Sequence, residues 1–288
     1  MTINAPHSIS TSITGKTRVY MVAGDPVDQV QAPAIFNRVF QKFDVDAVLV
    51  PVQVAPDRFV RFATTVLEAG NVEGLWITIP HKTTLMPLMV KTDLASQMAG
   101  SVNAVRRHDD GSLEGGMFDG RGLVAALSYF GIELKGLRIL LLGTGGAGAA
   151  IATALLGADI KELALHDLDD RAARLANRLD DHRVSLPGAD PVGFDLIINA
   201  TPLGLNPSDP LPVDVSRIDS KARVVDILMK KKPTPLLQAC EARNIEAYPG
   251  FEMLVQQVPD YLRFFGMSDI ADQIQDDLAE VRHHLMAA

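Results

Sequence analysis

From Arg18 onward, short apolar runs alternate with longer amphipathic stretches, the rhythm of a parallel α/β protein. Runs at Arg18 to Ala23, Ala47 to Val54 and Leu75 to Ile79 predict strands. Between them the apolar spacing is helical over Pro33 to Phe43 and Pro56 to Ala69, the latter stopped by Gly70. Ser101 to Phe118, folded about an Asp-Asp-Gly turn at Asp109 to Gly111, reads as a hairpin. Beyond Gly120 the texture changes. Gly120 to Gly131 reads as a helix, and Arg138 to Leu142 is a dense apolar strand of the kind buried on both faces. Glu162 to Leu165, Leu196 to Asn199 and Val224 to Ile227 are further short buried strands. Thr234 to Asn244, Phe251 to Phe265 and Ile270 to Leu285 are helical.

The run Leu142-Gly143-Thr144-Gly145-Gly146-Ala147-Gly148 follows one of these strands and opens an Ala-rich helix, Gly146 to Leu156. Glycine has a separate reason at three positions. Gly143 permits a tight turn, Gly145 lets the backbone approach a pyrophosphate, and Gly148 lets the helix pack closely on its strand. The helix N-terminus presents free amides and a positive dipole end to the phosphates. Asp167 ends the next strand, where a carboxylate accepts hydrogen bonds from the adenosine ribose. Asp169 and Asp170 make the following loop acidic, and Arg171 is the single nearby cation, inside the next helix. NAD is therefore the expected cofactor and NADP the less favoured one. Asp169 or Asp170 has the alternative of capping that helix.

The expected fold is α/β with two domains. Residues 1–120 form an N-terminal α/β substrate-binding and catalytic domain, and residues 121–250 a Rossmann-type NAD(P)-binding domain. The C-terminal helices, residues 251–288, return to the first.

Bulk properties narrow the function classes. The 288 residues suffice for two ordinary domains, and 47% hydrophobic with 22% charged residues is a globular composition. A net charge of −8 argues against a nucleic-acid partner, and Lys230 to Lys232 is too short a basic cluster to change that. The single cysteine, Cys240, excludes an intrachain disulfide and reads as a packing residue. No apolar run is long enough for a bilayer, and Met1 to Lys16 reads as a frayed arm without signal-peptide layout, so a cytoplasmic protein with no membrane partner is expected. The seven histidines show no metal spacing and there is no Gly-x-Ser-x-Gly elbow. No metal is expected, and the oligomeric state is left open.

Several ordered segments together resemble the shikimate/quinate dehydrogenase family, over about Gly24 to Phe265. Gly74-Leu75-Trp76-Ile77-Thr78-Ile79-Pro80-His81-Lys82 resembles its Gly-x-Asn-Val-Thr-x-Pro-x-Lys motif, and Gly100-Ser101-Val102-Asn103-Ala104 its Gly-Ala-Val-Asn-Thr. Gly115 to Gly122 keeps Asp119, Gly120 and Gly122 of a third motif. Asn199 to Leu205 and Gly250 to Gln257 match further segments. The resemblance implies reversible hydride transfer between a cyclic hydroxyl or ketone and nicotinamide, with Lys82 and Asp119 as the catalytic pair. A positioned group must take the hydroxyl proton as hydride leaves, and a lysine held by a carboxylate can do so. By the same resemblance Asn103 and Gln257 hydrogen-bond substrate hydroxyls. Thr78 lines the pocket or is simply a strand residue. Gly143, Thr144, Gly145, Gly146, Ala147, Asp167, Thr201, Leu203 and Gly250 are expected around the cofactor.

Departures from the family pattern gather on the substrate side. Two serines that bind the substrate carboxylate are replaced by Val30 and Ala32. Trp76 stands for an Asn, Met117-Phe118 for Asn-Thr, and Met229 and Lys231 for Tyr and Pro. A pocket with more apolar surface is expected. Either Gln29, Gln31 or Arg121 replaces the lost carboxylate contacts, or the substrate is a related carboxylate-free cyclic polyol. A non-catalytic dinucleotide- or metabolite-binding module is the other alternative, disfavoured because Lys82 and Asp119 are both present.

Overall fold

The structure, a computed structural model, describes residues 13–206, 208–230, 232–275 and 278–287. The arm read at the start of the chain lies, up to residue 12, outside them, as does Lys231. In chain order the first half runs β1 (Arg18–Gly24), α1 (Ala32–Lys42), β2 (Ala47–Gln53), α2 (Pro56–Val66), β3 (Val72–Ile77), β4 (Lys91–Thr92), α3 (Leu94–Ala99), β5 (Ala104–Arg107), β6 (Leu113–Gly116) and α4 (Asp119–Tyr129). The second half runs β7 (Arg138–Leu142), α5 (Gly146–Leu156), β8 (Glu162–His166), α6 (Arg171–Leu179), β9 (Val184–Ser185), β10 (Leu196–Asn199), β11 (Arg223–Asp226), α7 (Pro235–Glu241) and β12 (Glu246–Pro249). The helices α8 (Phe251–Phe264), α9 (Ser268–Gln275) and α10 (Ala279–Ala287) close the chain.

These elements form two six-stranded sheets. The first has the order β2-β1-β3-β5-β6-β4, parallel across β2-β1-β3 and antiparallel through the β5-β6 hairpin. The second, β12-β11-β10-β7-β8-β9, is parallel throughout. Strand alternation sends successive side chains to opposite faces. In the first sheet Val22 and Trp76 join the core under α1 and α8, while Ala23, Leu75 and Ile77 join the core under α2. In the second, Ile139 and Leu141 face α4 and α5, and Leu140 and Leu142 the opposite core containing Leu236 and Cys240. Both faces of these strands are covered, which is why they read as unbroken apolar runs.

Residues of α8, α9 and α10 pack into the first sheet's core through Val258, Leu262, Ala271, Ile274 and Val281. The segment predicted as one helix from Ile270 to Leu285 is two, α9 and α10. The sheets are joined by helices: α4 packs against both α5 and α8, and α3 against α5. Cys240 is buried in α7, and burial pushes its thiol up to about 11. Among the described residues no helix is long and apolar enough to cross a membrane.

Candidate active site

In each sheet the strand order reverses next to its first strand: β1 lies between β2 and β3, and β7 between β8 and β10. Such reversals leave a crevice beyond the carboxyl ends of the strands. Both crevices open into one cavity of about 710 Å³. Val22, Trp76 and Thr78 border it from the first sheet, and Leu142, Gly143 and Thr201 from the second.

On the second sheet the nucleotide turn has the geometry its glycines predict. Gly143 sits at φ +92°, in the left-handed region. A Cβ at Gly148 would fall 2.0 Å from the Gly143 carbonyl oxygen, so the helix and turn touch as only glycine allows. Gly145 faces open space, and Thr144, Gly146 and Ala147 border the cavity with it. The Asp167 carboxylate holds this turn. It accepts from the Thr144 backbone N–H (2.6 Å), the Thr144 hydroxyl (2.9 Å) and the Leu168 N–H (2.7 Å), and Arg171 lies 3.1 Å away. Arg171, Arg174 and Arg178 of α6 also border the cavity. A glycine cradle, a helix N-terminus and guanidinium groups are a donor set that fits a dinucleotide. Leu203 borders the cavity as well. Gly250 does not: it caps α8, where a Cβ would fall 2.4 Å from the Ile227 carbonyl oxygen.

A buried network beneath this end joins the Asn199–Leu205 segment to two residues that no motif singled out, Asp226 and Thr234. Asn199 Oδ1 accepts from the Thr201 N–H (3.1 Å) and hydroxyl (2.6 Å), and its amide donates to Asp226 (3.0 Å). Asp226 also accepts from the Thr234 hydroxyl (2.5 Å) and the Leu228 N–H (3.2 Å). It thus ties together two loops that border the cavity, and burial raises its carboxyl pKa. The signal was a polar residue ending each apolar strand.

On the first sheet, Lys82 lies in a single 3₁₀ turn, His81–Thr83, and Asp119 opens α4. Lys82 Nζ donates to Asp119 Oδ2. Asn103 donates to Asp119 Oδ1 (3.0 Å) and to Gln257 Oε1 (3.1 Å), and accepts from the Phe118 N–H (3.1 Å). Gln257, on α8, donates to the Met253 carbonyl (3.1 Å) and borders the cavity. Four residues from separate elements therefore form one hydrogen-bonded chain, with Lys82 and Asp119 on the cavity wall. Asn103 is fully buried behind Asp119, with both amide hydrogens and its carbonyl engaged. The turn itself is anchored by His81, stacked on Phe59 at 3.8 Å and bonded through Nε2 to the Val54 carbonyl at 2.8 Å. Burial lowers the pKa of that imidazole.

Val30, Ala32, Trp76 and Met229 border the cavity, and Met117 and Phe118 do not. The expectation that these last two add apolar surface to the pocket is corrected: both are buried in the core, Phe118 edge-on to Tyr261 at 5.0 Å. Arg121 is half exposed, 3.6 Å from Asp260 and over the Phe118 ring, outside the cavity, so it replaces no carboxylate contact there. Among the described residues no group of three or more His, Cys, Asp or Glu could hold a metal.

Residues 22–105 match the family model for the shikimate dehydrogenase substrate binding domain. The chain is 31% identical over 257 residues to the shikimate dehydrogenase (NADP(+)) of Methanosphaera stadtmanae, covering 85% of this chain and 90% of that one. It belongs to the shikimate dehydrogenase family. Shikimate dehydrogenases are accordingly similar in structure. That of Aquifex aeolicus superposes with a TM-score of 0.80 at 25% identity, covering 91% of this chain and 98% of that one. Another, in complex with NADP+, gives 0.79 at 26% identity, covering 93% and 98%. The chain is thereby an oxidoreductase acting on CH–OH groups. The expectation of NAD is overturned: the relatives are named for NADP(+), and a solved neighbour carries NADP+. The physical slip lies at Asp167. Its carboxylate is occupied by the turn and by Arg171, and three arginines of α6 reach the same cavity.

Proposed function

We propose that this member of the shikimate dehydrogenase family interconverts a ring hydroxyl and its ketone with NADP(H), using Lys82 as the proton carrier. The observation that carries this reading is the Lys82–Asp119–Asn103–Gln257 chain, which brings a cation and a carboxylate to the wall of the cavity that also holds the nucleotide turn. The first sheet, with α8 to α10, takes the substrate, and the second sheet takes the dinucleotide. NADP(H), when bound, supplies the donor or acceptor of the hydride.

The chain's own residues handle the proton and the geometry. In the reducing direction the Lys82 ammonium donates a proton to the oxygen that becomes the hydroxyl; in the oxidising direction the amine takes it back. Asp119 fixes the lysine's position and is itself fixed by Asn103, whose engaged amide lets it adopt no other orientation. Gln257 and Thr78, on the cavity wall, orient substrate hydroxyls. Arg171 and Arg174 receive the extra phosphate of NADP(H), and the turn at Gly143 to Ala147 receives the pyrophosphate.

The test is Lys82→Ala. That variant keeps the Cβ, which packs beside Gly146 at the junction of the two sheets. Loss of a positioned proton carrier costs about 10²- to 10⁴-fold in turnover. NADP+ affinity, measured by calorimetry, should remain that of the parent protein. Equal loss of turnover and of cofactor affinity would remove Lys82 from the chemistry.

A further inference from the structure

We propose that the substrate end of the cavity takes a neutral polyol or its ketone rather than a carboxylate, an inference that rests on the dehydrogenase reading above. The wall there is Val22, Val30, Ala32, Trp76, Met229 and Tyr261, and it backs onto one continuous apolar core. A carboxylate buried on such a wall needs a cation or several aimed N–H groups.

Among the described residues, the cations bordering the cavity are Lys82, Arg171, Arg174 and Arg178. Lys82 is neutralised by Asp119. The arginines sit on α6, at the nucleotide end, where Arg171 and Arg174 pair with Asp167 and Asp170 and Arg178 donates to the Ala99 carbonyl at 2.9 Å. The start of α1 borders this end of the cavity, and it is a poor anion site. Pro33 has no N–H, and the N–H groups of Ala34 (3.1 Å) and Ile35 (3.4 Å) both donate to the Gln31 carbonyl.

Beyond the Lys82–Asp119 pair, the polar groups at this end are amides and hydroxyls. Gln29 donates to the Pro26 carbonyl at 3.1 Å and Gln31 to the Gln29 carbonyl at 3.2 Å, so each keeps one amide hydrogen and one carbonyl. Thr78 and Gln257 add to them. A hydroxyl, which donates and accepts, can use every one of these groups; a carboxylate, which only accepts, leaves the carbonyls unmet and its own charge unbalanced. The aliphatic and aromatic wall meets ring or chain carbons.

The test compares shikimate with its methyl ester, the same ring with the charge removed. Binding to the holoprotein is measured by calorimetry with NADP+ present, and turnover by nicotinamide absorbance. The ester should bind tighter by about tenfold or more and show the higher kcat/KM. The double substitution Val30→Ser with Ala32→Ser should erode that ratio by strengthening shikimate. Shikimate binding as tightly as the ester, or neither compound binding, overturns the proposal. If shikimate is favoured and Lys82→Ala still silences its turnover, the dehydrogenase reading survives alone. Selective binding of the ester without turnover of either compound upholds the neutral subsite and sinks the dehydrogenase reading.

Discussion

The two ends of the cavity are built from different materials. At the nucleotide end the wall is chiefly backbone, a left-handed glycine, a helix N-terminus and a turn held by Asp167, with the arginines of α6 beside it. At the substrate end it is made of side chains contributed by β1, the start of α1, β3 and α8. Backbone recognition needs contiguous residues of special conformation, so it leaves a short sequence signature. Side-chain recognition is gathered from distant segments, and each position can change without disturbing the sheet beneath it. The first end therefore declares what it binds, and the second must be read from its chemistry.

That contrast breaks most visibly at Gly148. In Gly148→Ala the new Cβ meets a backbone oxygen at 2.0 Å, with no flexible side chain to yield. Overpacking of this kind costs about 1–3 kcal/mol or more, and the strain falls on the turn Gly143 to Ala147 that borders the cavity. NADP+ affinity should drop by at least about tenfold, since 1.4 kcal/mol is tenfold in a dissociation constant. Circular dichroism and calorimetry on the same sample would check it; unchanged affinity would show that the turn is not the cofactor cradle. A substitution of equal size at Ala32 should leave the cofactor untouched.

Asp167 sharpens the same comparison with a smaller effect. Its carboxylate fixes the turn through two contacts with Thr144, so Asp167→Ala should weaken NAD+ and NADP+ alike. Charge-assisted hydrogen bonds contribute about 1.5–3 kcal/mol, which predicts a loss of roughly tenfold or more for each. Selective loss of one dinucleotide would mean that Asp167 reads the ribose instead of bracing the loop.

How far the chain could be read in advance follows the same division. The strands Arg138–Leu142 and Leu196–Asn199 and the helix Gly146–Leu156 were legible because both faces of the strands are buried and the helix opens at a glycine turn. The edge strand Glu246–Pro249 was not: it is only partly buried, and Glu-Ala-Tyr-Pro carries no strand period. Lys82, Asp119, Asn103 and Gln257 were each legible within motifs, yet their order was not. Sequence alone could not say that Asn103 stands behind Asp119 with its amide fully used. Met117 and Phe118 join β6 to α4, and whether apolar residues there face the cavity or the core depends on how the chain turns between the two elements. The cofactor was misread because a carboxylate's partners, here Thr144 and Arg171, are a matter of three-dimensional packing.

The smallest effect is expected behind the apolar wall itself. Tyr20 is wholly buried against Phe40, Trp76 and Phe265, and its hydroxyl has no partner among the described residues. Burial pushes its pKa up to about 12, so the group stays neutral at any working pH. An unmade hydrogen bond of a buried hydroxyl costs about 1–3 kcal/mol, and an apolar isostere escapes that cost. Tyr20→Phe should therefore leave stability unchanged or raise it by about 1 kcal/mol, read as a higher denaturation midpoint at constant slope. Tyr261→Phe provides the contrast, because its hydroxyl donates to the Asn103 carbonyl at 3.3 Å, and its loss should lower the midpoint. Destabilisation by Tyr20→Phe would mean that the hydroxyl does have a partner, and that the substrate end of the molecule is less purely apolar than its side chains suggest.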